Sequence, residues 1–159
     1  MRHAFLTIAN DPFRFRLYML LKLPAAFLAG VRVKKATLNA ATVSLSFHWL
    51  SQNPFRSIYF ASLSMAAEMS TGLLAMARIY KRTPAVSMLV VSMEATFHKK
   101  ATGTIYFTCQ DGSLFEEAIQ RAIETGTSTT LTATASGTNK HGELVAQFRF
   151  TWSFKIKNK

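Results

Sequence analysis

Residues Tyr59–Ala77 read YFASLSMAAEMSTGLLAMA. Ala, Leu and Met favour a helix, and the apolar character runs almost all the way round it. A helix of that kind is stable only when other elements cover nearly every side. Glu68 is the one charged residue in the stretch. A carboxylate in such a setting is costly to bury and is seldom kept without a partner or a task. The predicted helix runs from about Tyr59 to Tyr80, about 33 Å at ~1.5 Å per residue. That length would suit a bilayer, but Ser62, Ser64, Glu68, Ser70, Thr71 and Gly72 argue for a protein core. No membrane partner is expected. Arg78, Lys81 and Arg82 sit at the C-terminal end, where positive charge suits the helix dipole, and Pro84 stops continuation.

Upstream, Asp11-Pro12 is a helix start, Asp11 as cap and Pro12 in the first turn. Phe13, Leu17, Leu20 and Leu21 then form an apolar stripe. Pro24 breaks this helix, and a short turn over Ala25–Leu28 ends at Gly30. A strand is expected over Val31–Leu38. In the next, Val43, Leu45, Phe47 and Trp49 alternate with Thr42, Ser44, Ser46 and His48, the period of a strand with one buried face. Asn39-Ala40 would make the two a hairpin. Ser51-Gln52-Asn53-Pro54 ends the pattern.

Downstream, strands are expected over Val86–His98 and Thr102–Cys109, with Lys99-Lys100-Ala101 as their turn. Ser113 and Glu116 have the spacing of a capping box, opening a helix with Leu114, Phe115, Ala118, Ile119, Ala122 and Ile123 on one face and Gly126 as its stop. The last strands are Ser128–Ser136 and Glu143–Lys157. In the final one, Leu144, Ala146, Phe148, Phe150, Trp152, Phe154 and Ile156 take every even position. Without βαβ alternation this order is an α+β layout, an antiparallel sheet curved around the long helix. One domain over 1–159 is expected, with a helical extension at 1–30 and a core at 31–157.

Hydrophobic residues make up 49% of the chain and charged residues 17%, which excludes disorder. The net charge of +11 favours anionic partners. Without a basic helix or an aromatic-basic ribbon, nucleic acid is not the expected one. The single cysteine, Cys109, excludes an internal disulfide and any multi-cysteine metal cluster. It reads as a packed thiol and fits a reducing cytoplasm. Arg14, Arg16 and Lys22 interrupt the N-terminal apolar run, so no signal peptide is expected. His48, His98 and His141 lack metal-ligand spacing, and no metal site is expected.

The segment Asn53-Pro-Phe-Arg-Ser-Ile-Tyr-Phe-Ala-Ser-Leu-Ser-Met-Ala-Ala-Glu68 resembles the active-site helix start of hotdog-fold thioesterases of the phenylacetate-pathway type. That family places an Asn in the loop before the long helix and an acidic residue within it, as Asn53 and Glu68 stand here. The element order matches over about Val31–Lys157. Tyr59-Phe60-Ala61 followed by a helical Glu is most similar to an uncharacterised branch of the superfamily. Characterised members carry Gly at the position of Arg56 and His-Gly-Gly at that of Tyr59-Phe60-Ala61.

The resemblance implies a hotdog fold, a curved antiparallel sheet around a central helix, here with an extra N-terminal helix. It implies a dimer or tetramer joined sheet edge to sheet edge, with active sites between subunits. The substrate would be an acyl thioester of coenzyme A or an acyl carrier, with no other cofactor. Glu68 would serve as general base or nucleophile, Asn53 would orient the water or the carboxylate, and the N–H groups of Phe60 and Ala61 would receive the oxyanion. Ser64 and Thr71, at i−4 and i+3 from Glu68, would hydrogen-bond its side chain. Arg82, Lys99 and Lys100 are candidates for the coenzyme A phosphates. Met65, Met69 and Leu73 would line the acyl pocket. A non-catalytic acyl-CoA or lipid binder on the same fold, and more distantly a basic nucleic-acid-binding module, stand as alternatives.

Overall fold

The computed structural model describes residues 3–157; residues 1, 2, 158 and 159 of the expected domain lie outside the described residues. The long helix, α4, spans Phe60–Ile79, one residue shorter at each end than the pattern predicts. Thirteen of its residues are buried. It packs on strands β2 (Ala41–Ser46), β4 (Thr104–Cys109), β5 (Thr129–Thr138) and β6 (Leu144–Ile156). Small side chains at Ala66, Ala67, Ser70, Gly72 and Ala75 let the sheet come close. The hydroxyls among them stay satisfied within the helix, as Ser70 donates to the Ala67 carbonyl at 2.7 Å.

With β1 (Arg32–Ala36) and β3 (Val86–Phe97), these strands form one six-stranded antiparallel sheet in the order β1-β2-β4-β5-β6-β3. This is the α+β layout that the element order implies. β6 supplies its spine: Ala146, Phe148, Phe150, Trp152 and Phe154 are all buried. Phe148 meets Phe97 and Phe107 edge-on at 5.6 Å in each case.

Two local expectations are corrected. The segment after β3 is not a hairpin turn, because β3 pairs only with β6 while β4 lies between β2 and β5. Residues 98–103 cross the end of the sheet instead, and Ala101, buried there, accepts a 2.8 Å hydrogen bond from the Ile58 N–H. Nor does the Ser113/Glu116 capping box form. Helix α5 spans Gly112–Thr125 with Asp111 at its cap and no side-chain cap bond. The Asp111 carboxylate accepts from the Thr134 N–H at 2.7 Å, and Glu116 pairs with buried Arg78 at 3.0 Å, tying α5 to the C-terminal turn of α4. Gly112 is required where it stands, since a Cβ there would collide with the Leu38 carbonyl oxygen and lie 2.5 Å from Asn39 Cα.

Three helices precede the sheet: α1 (His3–Ala9), α2 (Pro12–Lys22) and α3 (Pro24–Leu28). The Asp11 carboxylate caps α2, accepting from the Phe13 and Arg14 N–H groups at 3.0 Å each. Asn10 anchors the extension to β1: its side chain donates to the Ala36 carbonyl and accepts from the Ala36 N–H, both at 2.8 Å. Phe15 and Met19 are the residues of α2 that enter the core. The stripe of Phe13, Leu17, Leu20 and Leu21 faces outward.

Candidate active site

Glu68 lies midway along α4, under the N-terminal helices. Two hollows meet at its side chain. One, about 180 Å³, is walled by Phe5, Phe15, Tyr18 and Leu23 of the extension and by Met69, Leu73 and Met88 of the core. The other, about 280 Å³, lies between Leu23–Ala26 and Met65. No hydrogen bond or ion pair reaches the carboxylate among the described residues. Burial among apolar walls therefore raises its pKa to about 7. Gly72, one turn on, gives the carboxylate room: a Cβ there would sit 3.3 Å from Glu68 Oε1.

Met65, Met69 and Leu73, the expected acyl lining, all border these hollows. The expected hydroxyl support is corrected. Thr71 Oγ1 donates to the Glu68 backbone carbonyl at 2.8 Å and accepts from Trp152 Nε1 at 3.0 Å. Ser64 Oγ donates to the Phe60 carbonyl at 3.0 Å. Both side chains serve the helix or the core and leave the carboxylate alone.

The other expected residues gather elsewhere. Asn53, Tyr59, Phe60, Lys99 and Lys100 border a cleft of about 460 Å³ at the N-terminus of α4, with Phe97 and His98 from the end of β3. Tyr59 provides no side-chain cap. The Ser62 and Leu63 N–H groups bond to the Tyr59 carbonyl, which leaves those of Phe60 and Ala61 without an acceptor among the described residues. Free donors at a helix start suit a developing negative charge. The Asn53 side-chain oxygen Oδ1 is already committed, accepting from the Phe55 N–H at 2.9 Å and from the Ser57 N–H and Oγ at 3.2 Å each. Its amide N–H groups are the part left to orient a ligand.

Along one chain the two regions do not meet. Phe60 and Glu68 are separated by about 12 Å of helix axis at ~1.5 Å per residue. Lys99 pairs with Glu143 at 2.6 Å on the surface. Arg82 stands at the opposite end of α4 and donates to Gln120 Oε1 at 3.0 Å, so one chain does not group it with Lys99 and Lys100. Sequence reasoning missed Tyr18, Leu23 and Met88, which wall the Glu68 hollow. They come from elements distant in the chain, and no local signal marks them.

Cys109 is buried, and desolvation pushes its thiol up to about 12, which keeps it protonated. The His48 ring bonds the Ala29 carbonyl at 2.8 Å through Nε2 and accepts from the Leu50 N–H through Nδ1, a structural role.

The sequence matches the family described as a domain of unknown function, DUF4442, over residues 13–154. The chain belongs to the DUF4442 family. The match begins within α2, so two of the three N-terminal helices fall inside the family domain. No curated protein matches this DUF4442 chain. Among solved structures, it resembles a Pseudomonas aeruginosa protein of unknown function described as a probable thioesterase, with 18% identity, a TM-score of 0.77 and 92% and 97% of the two chains covered. A mutant thioesterase from Pseudomonas aeruginosa gives 13% identity and a TM-score of 0.71, covering 92% of this chain and 95% of that one. A Haemophilus influenzae thioesterase gives 10% identity and a TM-score of 0.65, covering 88% of each chain. The DUF4442 chain thus has the thioesterase-like hotdog fold.

Proposed function

We propose that the protein hydrolyses acyl thioesters at a site shared by two copies of the chain, with Glu68 of one facing the Asn53–Phe60 cleft of the other. The observation that carries this reading is the Glu68 carboxyl itself, half-buried, without a hydrogen-bond or ion-pair partner among the described residues, and flanked by Met-lined hollows at the centre of the core helix. Nothing around it explains its retention as a structural ion.

The dimer is supported by β3. This strand is 12 residues long and lies at a sheet edge. Leu89 and Val91 on it are 67% and 56% exposed. A long apolar edge left open is an aggregation hazard, which pairing with a second copy removes. Antiparallel pairing of β3 with itself sets the Met88 end of one strand against the Phe97 end of the other. Met88 borders the Glu68 hollow and Phe97 borders the Phe60 cleft. The two half-sites that one chain keeps apart would then adjoin across the interface.

In this reading the free N–H groups of Phe60 and Ala61 hold the thioester carbonyl. Glu68 of the other copy takes a proton from water as its oxygen attacks the carbonyl carbon. The C–S bond breaks, and the departing thiolate takes the proton back from Glu68, giving free thiol and carboxylic acid and restoring the base. Lys99 and Lys100 flank the cleft, where the phosphates of a coenzyme A carrier would lie. Hydrolysis of an acyl-CoA panel by wild type and Glu68→Gln tests the proposal; equal rates remove Glu68 from the mechanism.

A second reading, an acyl-thioester binder without turnover, is favoured by the committed Asn53 side-chain oxygen and by the Phe60 ring bordering the cleft. Single-turnover assays separate the two, because stoichiometric binding without release of free thiol fits only the binder.

A further inference from the structure

The outward face of α2 has no role in the site just described. Phe13 and Leu21 are 79% and 68% exposed, and Leu17 and Leu20 lie between them on the same arc of the helix. The opposite side, Phe15 and Met19, already packs into the core, so the helix is held in place before any partner arrives. Exposed apolar patches of this kind, rimmed by charge, mark interaction surfaces.

The rim is mostly basic, its one carboxylate being Asp11 at the helix start, which pairs with Arg14 at 3.4 Å. Between Pro12 and Ala67 the chain contains no acidic residue. Arg14 follows Phe13 on one flank of the stripe. On the other flank, Arg16, Arg32 and Lys34 border a cavity of about 240 Å³ between α2 and β1. The Arg16 guanidinium lies 4.0 Å over the Phe27 ring, and its Nη1 is buried without a hydrogen-bond partner among the described residues. No carboxylate among the described residues borders that cavity. An unmatched guanidinium nitrogen beside two further cations calls for an anionic oxygen ligand.

We propose that α2 docks the protein on an anionic phospholipid bilayer, with Phe13, Leu17, Leu20 and Leu21 entering the interfacial layer and the Arg16–Arg32–Lys34 cavity receiving a headgroup phosphate. The two halves of the surface match the two layers of such a membrane. An amphipathic helix lying in the interface buries its apolar face by several ångströms, and nearby cations strengthen its hold on anionic lipid. A second copy fits poorly, since it would bring another strongly basic face against this one. The surface is distinct from a spanning segment: α4 is long and apolar enough to cross a bilayer, but 67% of that window is buried inside the protein.

Flotation with phosphatidylcholine vesicles, with and without phosphatidylglycerol, tests the proposal on the full chain. Wild type is expected to float with the anionic vesicles and not with the neutral ones. Leu17→Glu/Leu21→Glu is expected to weaken flotation about tenfold or more, and Arg16→Gln/Arg32→Gln to weaken it by a smaller factor, with circular dichroism unchanged. Equal flotation with both vesicle types, or full flotation by Leu17→Glu/Leu21→Glu, overturns the proposal. So does binding of inorganic phosphate through Arg16 without any vesicle binding, which would make the cavity a soluble-anion site. A fall in particle mass on Leu17→Glu/Leu21→Glu in lipid-free light scattering also overturns it, by giving the face to a second copy.

Discussion

Trp152 donates its indole N–H to Thr71 Oγ1 at 3.0 Å, and that hydroxyl donates in turn to the Glu68 backbone carbonyl at 2.8 Å. The chain of bonds runs from the spine of the sheet to the central helix and stops at the backbone of Glu68. The Thr71 hydroxyl is thereby spent and cannot quench the carboxylate, just as Ser64, on the turn before, is spent on the Phe60 carbonyl.

Thr71→Val should therefore destabilise the protein by about 1–3 kcal/mol, because it leaves the Trp152 N–H buried and unpaired. It should leave the pH dependence of any Glu68-linked property unchanged. Urea denaturation combined with a pH–rate profile checks both halves. A shifted profile would mean that Thr71 reaches the carboxylate after all.

Stability should fall as pH rises from about 4.5 to 7. The Glu68 carboxyl titrates at about 7 in the folded protein and at about 4.3 in the unfolded chain. Within that window the folded state holds the extra proton, so raising the pH favours unfolding by about 4 kcal/mol in all, with no further loss from this group above pH 7. Tyr18 and Lys22 are the other ionisable groups bordering its two hollows among the described residues. Glu68→Gln should flatten the slope and raise the melting temperature at pH 8. Urea titrations between pH 5 and 8 measure it. Activity should run the other way, rising through pH 7 as the base loses its proton.

Phe60→Pro and Phe60→Ala isolate the backbone donor. Phe60 is the first residue of α4, and Tyr59 before it has φ −62° and ψ 136°. Proline is accommodated at the first helical position, and the residue before it prefers that extended conformation. Phe60→Pro should thus fold normally while losing the N–H. A drop in kcat of about 10²-fold or more is expected for Phe60→Pro, with a much smaller drop for Phe60→Ala. Mixing Phe60→Pro with Glu68→Gln should restore about a quarter of wild-type activity, because half of the mixed dimers' sites combine two intact halves in a symmetric pair. No recovery would place both groups in one chain.

Leu89→Lys/Val91→Lys should halve the particle mass by light scattering and abolish thioester hydrolysis, with far-ultraviolet circular dichroism preserved. Charged side chains on an edge strand oppose strand-to-strand pairing. Retained activity in a monomer would end the shared-site reading.

The long helix and β6 were legible in the sequence because their burial is written in a regular period. Almost every side of α4 is apolar, and alternate residues of β6 are large and apolar. The partner of β3 was not legible, since strand pairing depends on where the connecting segment crosses, and Lys99-Lys100-Ala101 looks like any tight turn. The cap of α5 misled because Ser113 and Glu116 have the right spacing but Glu116 is claimed by Arg78. On α2 the conspicuous stripe faces water, while two less conspicuous residues, Phe15 and Met19, face the core. Glu68 and the Asn53 loop could both be found from sequence. Their separation in one chain could not, because it depends on the straight path of α4 between them.

With one thiol in the whole chain, protonated and sealed beneath the sheet, the folded protein should ignore maleimides and disulfide reagents. Reaction at Cys109 would then count excursions in which β4 comes loose, so the chain carries its own clock for opening. The same silence makes it a blank slate for labelling: a cysteine introduced on β3 or on the outer side of α2 would be the one that takes the dye.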